Sequence, residues 1–258
     1  MTTELARIDD EGDRLIVVNM NARRRGALSP DLYACIIRAC HLAVETRVRS
    51  VILRSEGGFF CAGGNLNLMK ERADLTREER RAKVDELHDV IRAIHACPVP
   101  VIAVVDGGAA GAGMSLALAC DLIVADTEAQ FTASYVKAGL VPDGGLTAAL
   151  MQALPKQAAM ELCILGRPMS AQRLFDLGVV NAVADGDGLI NKVTCIADVL
   201  SAGPRTTRSV IKSMVLAAGQ NTVADQLDLE RDAMADAVVA PEGREGIAAF
   251  LEKRKPEF

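Results

Sequence analysis

The stretch over residues 101–125, VIAVVDGGAAGAGMSLALACDLIVA, is the feature that most restricts the fold. Residues 101–105 are apolar and mostly β-branched, which suits a buried strand and is too short for a helix. Asp106, Gly107 and Gly108 break the run. From Gly111 onward the side chains are small (Ala112, Gly113, Ser115, Ala117, Ala119), so a partner can approach the backbone closely. A helix beginning here leaves its first N–H groups without intrahelical acceptors, at the positive end of its dipole. Such a start suits a negative or incipiently negative oxygen.

Three chemistries use a turn of this kind. A dinucleotide site needs G-x-G-x-x-G, and Leu116 stands where the third glycine belongs. A hydrolase elbow needs G-x-S-x-G, which residues 113–117 approach, but its histidine follows the serine and the last histidine here is His95. An oxyanion hole needs a second backbone donor from elsewhere. The loop after the strand at 48–53 offers one: residues 56–66, EGGFFCAGGNL, hold four glycines.

The chain is 258 residues long, 50% hydrophobic and 3% aromatic, so its core is built from Ala, Val, Leu and Ile. A net charge of −5, with 253–255 (KRK) its one clustered basic run near the end, argues against nucleic acid as the main partner. No apolar stretch reaches the ~18 residues of a membrane span. The acidic start MTTELARIDDEGD has no apolar signal core, and the expectation is a cytoplasmic protein. Seven cysteines without a C-x-x-C pair read as small buried thiols. The three histidines have no metal-ligand spacing, so no metal site is expected.

Further along, 14–20 reads as a strand and 21–26 as a basic turn, either a solvated loop or a phosphate-binding edge. Ser29-Pro30 reads as N-cap and first helical residue of a helix to about 45. Residues 67–97 read as mostly helical and charged, a solvated face or a cover over a site. Residues 129–133 suit a short strand, 146–154 a helix and 179–183 a last strand. Asp143, before Gly144-Gly145, has two readings. It is a helix N-cap, or it is a carboxylate among apolar neighbours, a setting that disfavours charge and suits a proton carrier. Beyond 191 only helices are expected, near 192–202, 204–218, 222–239 and 241–254. That shift divides the chain into a core over 1–190 and a helical oligomerisation region over 191–258.

Taken in order, residues 60–66 (FCAGGNL), 106–113 (DGGAAGAG) with 120–122 (CDL), 139–145 (GLVPDGG) and 245–254 (EGIAAFLEKR) resemble the crotonase superfamily, the enoyl-CoA hydratase/isomerase family. The resemblance spans nearly the whole chain. It implies an α/β fold, a spiral of ββα turns with a C-terminal helical region that forms trimers, often paired into hexamers. It implies an acyl-CoA thioester as substrate, with CoA part of that substrate and no separate cofactor. It assigns the oxyanion-hole N–H groups to Gly64 and Ala112, and contacts along CoA to Arg25, Ala27, Ala62 and Leu66. The tail 253–255 is placed near a neighbour's phosphate. Asn65 stands where the family usually has aspartate.

By the same resemblance, hydratases carry glutamates at the positions of Ser115 and Tyr135. Both are absent here, and water addition needs groups to activate water and to handle the Cα proton. Asp143 matches the working aspartate of some isomerases and of a dehalogenase, and the segment around it is most like the 1,2-epoxyphenylacetyl-CoA isomerase branch. The expectation is therefore an acyl-CoA isomerase with Gly64 and Ala112 at the thioester oxygen, Asp143 as proton carrier and Tyr135 shaping the pocket. The alternatives are an enoyl-CoA hydratase, an Asp143 nucleophile, and a non-catalytic acyl-CoA-binding trimer.

Overall fold

The computed structural model describes residues 4–258. Nine strands are present: β1 (Ala6–Asp10), β2 (Arg14–Asn19), β3 (Ser50–Ser55), β4 (Val101–Val105), β5 (Gly108–Ala110), β6 (Leu122–Asp126), β7 (Gln130–Thr132), β8 (Met169–Ser170) and β9 (Ala182–Ala184). Between them lie α1 (Pro30–Leu42), α2 (Leu66–Glu71), α3 (Arg77–Ala96), α4 (Ala112–Ala119), α5 (Leu146–Ala153), α6 (Lys156–Met160) and α7 (Ala171–Asp176). Four helices close the chain: α8 (Gly186–Ser201), α9 (Arg205–Ala218), α10 (Val223–Val239) and α11 (Pro241–Glu252).

The strands form two sheets, one ordered β1-β2-β3-β4-β6-β9 and the other β5-β7-β8. After the antiparallel β1–β2 hairpin, every pairing in the larger sheet is parallel, with Leu53 beside Ala103 and Ala103 beside Ile123. The smaller sheet repeats the progression: Cys61 bridges to Ala109, and Ala109 pairs with Phe131. Each turn of the chain thus adds a strand to both layers, the ββα spiral of the crotonase fold.

Burial follows the two-residue period of a strand. Val51, Leu53, Val101, Ala103, Val105, Ile123 and Ala125 face one core with α1, α3 and α4. Ile52, Ile102, Val104 and Val124 face a second core with Leu189, Val193, Ala197 and Leu200 of α8. Both faces are covered, as expected where crossover helices flank a parallel sheet. The loops that leave β3 and β5 emerge at the carboxyl ends of these strands, where open α/β sheets place their ligands.

Ser29 caps α1 as the sequence suggests, its Oγ accepting from Leu32 N at 3.2 Å, with Pro30 in the first turn. Other expectations need correction. The helix expected to reach about 45 stops at Leu42, and the last strand lies at Ala182–Ala184, not 179–183. Strand β1 is a half-exposed edge rich in charge, so no apolar run marks it. Strand β5 has the weak β-formers Gly-Ala-Ala and exists because β7 pairs with it. Helix α8 begins at Gly186, not near 192, and its buried side belongs to the sheet; a boundary at 190/191 falls inside it. Four cysteines are buried, Cys35 and Cys163 are half-buried, and Cys195 is exposed. No helix among the described residues is long and apolar enough to cross a membrane.

Candidate active site

The loop after β3 is drawn against the start of α4 by backbone pairing. Phe60 N donates to Asp106 O at 2.8 Å, and Ala110 N donates to Cys61 O at 2.8 Å. The approach is close enough to require glycine. A Cβ on Gly113 would lie 2.2 Å from Cys61 O, and one on Gly63 would lie 3.1 Å from Ala112 N. Gly111, at φ 53° and ψ −128°, starts α4 in a conformation that side chains rarely adopt. Burial pushes the Cys61 thiol up to about 12, against a Gly63 hydrogen bond that pulls it down, so it stays protonated.

Gly64 and Ala112 line one cavity of about 330 Å³, and Asp143 lines it too. Neither the Gly64 nor the Ala112 amide has a backbone acceptor among the described residues. Two residues from separate loops, each with a backbone N–H that has no backbone acceptor, therefore border the same space as Asp143. The walls come from α1 (Leu28 and Ser29 before it, then Tyr33), from α2 and its following turn (Leu68, Met69, Arg72), and from Leu75. Helix α3 adds Lys83, Val84, Glu86 and Leu87. The charged 67–97 region is thus both solvated face and pocket wall.

Asp143 is not a helix cap. Gly145 occupies the cap of α5, with no side-chain hydrogen bond, and the Asp143 backbone O accepts from Leu146 N at 3.3 Å. The carboxyl is held instead by Tyr135, whose hydroxyl donates to Oδ1 at 2.7 Å. Tyr135 is 7% exposed and does not line the cavity; it supports Asp143 from behind. Burial, then the neighbouring Asp143 charge, pushes the Tyr135 phenol well above its ordinary range, so it remains a donor. Ser115 Oγ lies 3.0 Å from the Tyr135 hydroxyl and donates to the Asp143 backbone O at 2.9 Å.

The four residues expected along CoA do not line this cavity. Arg25, left-handed at φ 50°, lays its guanidinium 3.9 Å from the Phe59 ring centre. Its backbone O accepts from Ala62 N at 2.9 Å, which brings Arg25 and Ala62 together. Ala27 is buried, while Leu66 is 62% exposed at the start of α2. Asn65 caps α2, its side chain accepting from Asn67 N at 3.0 Å. The tail Arg254 is held by Glu245 and Glu252 of its own chain.

Two residues at the site escaped the sequence reading. Tyr33, one of only two tyrosines, lines the cavity, and burial pushes its phenol above the ordinary range, with Cys61 and Asp143 adding to the rise. Its position one step after Leu32 on the buried stripe of α1 was the available signal. His88 accepts from Gly144 N at 3.4 Å and anchors the turn that carries Asp143; nothing local in the sequence marks it.

Residues 10–258 match the family model described as Enoyl-CoA hydratase/isomerase. The chain belongs to this family. Members similar to it carry both activities in their names. The 1,2-epoxyphenylacetyl-CoA isomerase of Escherichia coli (strain K12) is 35% identical over 215 residues, covering 83% of this chain and 82% of that protein. The mitochondrial methylglutaconyl-CoA hydratase of Mus musculus is 33% identical over 259 residues, covering 97% of this chain and 81% of that one. Among solved structures, an enoyl-CoA hydratase from Polaromonas sp. JS666 superposes with a TM-score of 0.94 at 42% identity, covering 98% of both chains. The likeness extends along the whole fold, and the family acts on acyl-CoA thioesters.

Proposed function

We propose that the protein is an acyl-CoA isomerase that moves a double bond, or opens an epoxide fused to a ring, through a thioester enolate. The single observation that carries this reading is Asp143, its carboxyl held by Tyr135, in the cavity that Gly64 and Ala112 also line; Glu71 and Glu86 border the same cavity, and Ser115 and Tyr135 stand where the resemblance places the hydratase glutamates. The thioester oxygen accepts from the two amides, each worth roughly 3 kcal/mol of barrier. Asp143 takes a proton from carbon and returns it to another carbon on the same face. One carboxylate suffices because the substrate neither gains nor loses a proton overall. The similarity to 1,2-epoxyphenylacetyl-CoA isomerase supports the same choice.

Arg25, Ala27, Ala62 and Leu66 would run along the CoA moiety outside the acyl cavity, no other cofactor being required. Exposed apolar residues on the C-terminal helices, among them Leu227, Met234 and Phe250, support a homotrimer or paired trimers.

Hydration is the second reading, favoured by the hydratase names among the relatives. Incubation with 2-enoyl- and 3-enoyl-CoA, read by mass and absorbance, separates the two: isomerisation leaves mass unchanged and hydration adds one water. Asp143→Asn is expected to lower kcat for 3-enoyl-CoA isomerisation by about 100- to 10,000-fold, the range of a general acid–base group. A near-wild-type rate in that variant removes Asp143 from the mechanism. Tight acyl-CoA binding without turnover of any substrate marks a binding protein instead.

A further inference from the structure

We propose that Ser115 is a positioning residue that lets the Tyr135 hydroxyl serve both protonation states of Asp143; the proposal rests on the reading of Asp143 as proton carrier. The three groups form a closed circuit: Tyr135 Oη to Asp143 Oδ1 at 2.7 Å, Ser115 Oγ to Tyr135 Oη at 3.0 Å, and Ser115 Oγ to the Asp143 backbone O at 2.9 Å. Ser115 is 2% exposed and Tyr135 7%, so their hydrogen bonds must be met within the protein.

A proton carrier has to be held in two charge states. With Asp143 ionised, Tyr135 donates to Oδ1 and Ser115 donates to the Asp143 backbone O. When a substrate C–H bond breaks, its electron pair enters the enolate and its proton forms an O–H bond on Asp143. Oδ1 then loses charge and becomes a poorer acceptor. Tyr135 turns its proton to Ser115 Oγ, 3.0 Å away, while Ser115 keeps its own on the backbone oxygen. Return of the proton to carbon reverses the change. No heavy atom needs to move. A glutamate at position 115 would add charge beside Asp143; a serine adds only an acceptor that becomes useful once Asp143 is neutral.

The signs of two substitutions follow. Tyr135→Phe removes a donor to the charged carboxylate and makes protonation easier. Ser115→Ala removes the alternative acceptor and makes protonation harder. Other titratable groups also face Asp143: Tyr33 from α1, Glu71 and Arg72 at the end of α2, and Lys83, Glu86 and His88 from α3. They are unchanged in every variant and cancel from the differences.

The test is a ¹³C NMR pH titration of the Asp143 carboxyl carbon in the ligand-free protein, assigned by its loss in Asp143→Asn. Thermal unfolding checks that each variant is folded. Expected are a midpoint about half a unit lower in Ser115→Ala and about one unit higher in Tyr135→Phe, sizes set by single hydrogen bonds. Adding Ser115→Ala to Tyr135→Phe should leave the midpoint in place, because Ser115 acts through Tyr135. A Ser115→Ala midpoint that is unchanged, or that rises with Tyr135→Phe, overturns the proposal. The acidic limb of kcat/KM for isomerisation should move in the same two directions. An active Asp143→Asn variant defeats the catalytic reading instead, while the titration still tests the circuit.

Discussion

Helices α4 and α10 differ in how they are held. Seven of the eight residues of α4 are buried, from Ala112 through Ala117 and Ala119. None of the seventeen residues of α10 is buried, and Leu227, Met234 and Val239 stand well exposed. The first helix is fixed by contact on every side, and the Ala112 amide at its start is left without a backbone acceptor. The second carries apolar surface that a single chain leaves uncovered. The contrast teaches where precision resides: the loops that carry Gly63 and Gly113 are set by backbone packing with no room to spare, and the C-terminal helices leave apolar surface exposed.

Helix α9 lies between these extremes. It has no buried residue by whole-residue exposure, yet the side chain of Lys212 is only 7% exposed. Lys212 Nζ lies 2.7 Å from Asp121 Oδ2 and donates to Ile94 O at 2.8 Å and Val99 O at 3.3 Å. Asp121 also accepts from Val101 N at 2.7 Å, at the first residue of β4. A buried ion, where α4 uses apolar contact, pins the C-terminal region to the central strand.

The sharpest break of the contrast is Gly113→Ala. Its new Cβ would meet the backbone O of Cys61 at 2.2 Å. A loss of at least about 4 kcal/mol is expected, or no folded protein, read by thermal or urea unfolding. Wild-type stability would show that the two loops are not tightly opposed. Next in size is Lys212→Met, which strands the buried Asp121 charge; removal of one partner costs about 3–5 kcal/mol. In the wild type, burial already pushes the Asp121 carboxyl up, with Lys212 opposing the rise. A carboxyl raised in the folded state binds more protons there than in the unfolded chain, so its contribution favours folding at low pH and fades as pH rises. Without Lys212 the rise is larger, and the variant's deficit should grow from pH 4 towards pH 8, as read by Tm.

Much of this was legible in the sequence, and the misses have causes. Residues 101–105 coincide with β4, and of the glycines flanking Ala112, Gly113 marks a close approach to Cys61 and Gly111 a positive φ. Gly64, Ala112 and Asp143 were foreseen and share one cavity. The Asp143–Tyr135–Ser115 circuit was not, since its geometry depends on α4 and the Ser134–Ala138 turn meeting in space. The same holds for His88 beneath Gly144 and for Lys212 against Asp121. Strand β5 left no trace because three small residues carry no pattern of their own.

Smaller effects sharpen the other side of the contrast. Met234→Glu on α10 should leave the chain folded, changing stability by about 0.5 kcal/mol or less at low protein concentration. Light scattering should nevertheless show a smaller assembly; an unchanged assembly would leave that face without a role in association. Glu245→Gln should matter least. The carboxylate sits at about 2, held down by Arg254 and by Glu257 N, on a half-buried surface position. A group depressed in this way contributes above its unfolded pKa and loses that contribution as pH falls through the folded value. Removing it should be visible, if anywhere, as a slightly altered acid-unfolding curve.

The meeting of two bare amides on one thioester oxygen is tested most directly by a crystal structure with a non-reacting acyl-CoA analogue. The expected result is a carbonyl oxygen about 2.7–3.1 Å from both Gly64 N and Ala112 N, with Asp143 facing the adjacent carbons. An oxygen bound to neither amide, or an acyl chain lying outside the cavity that Gly64, Ala112 and Asp143 share, would contradict it.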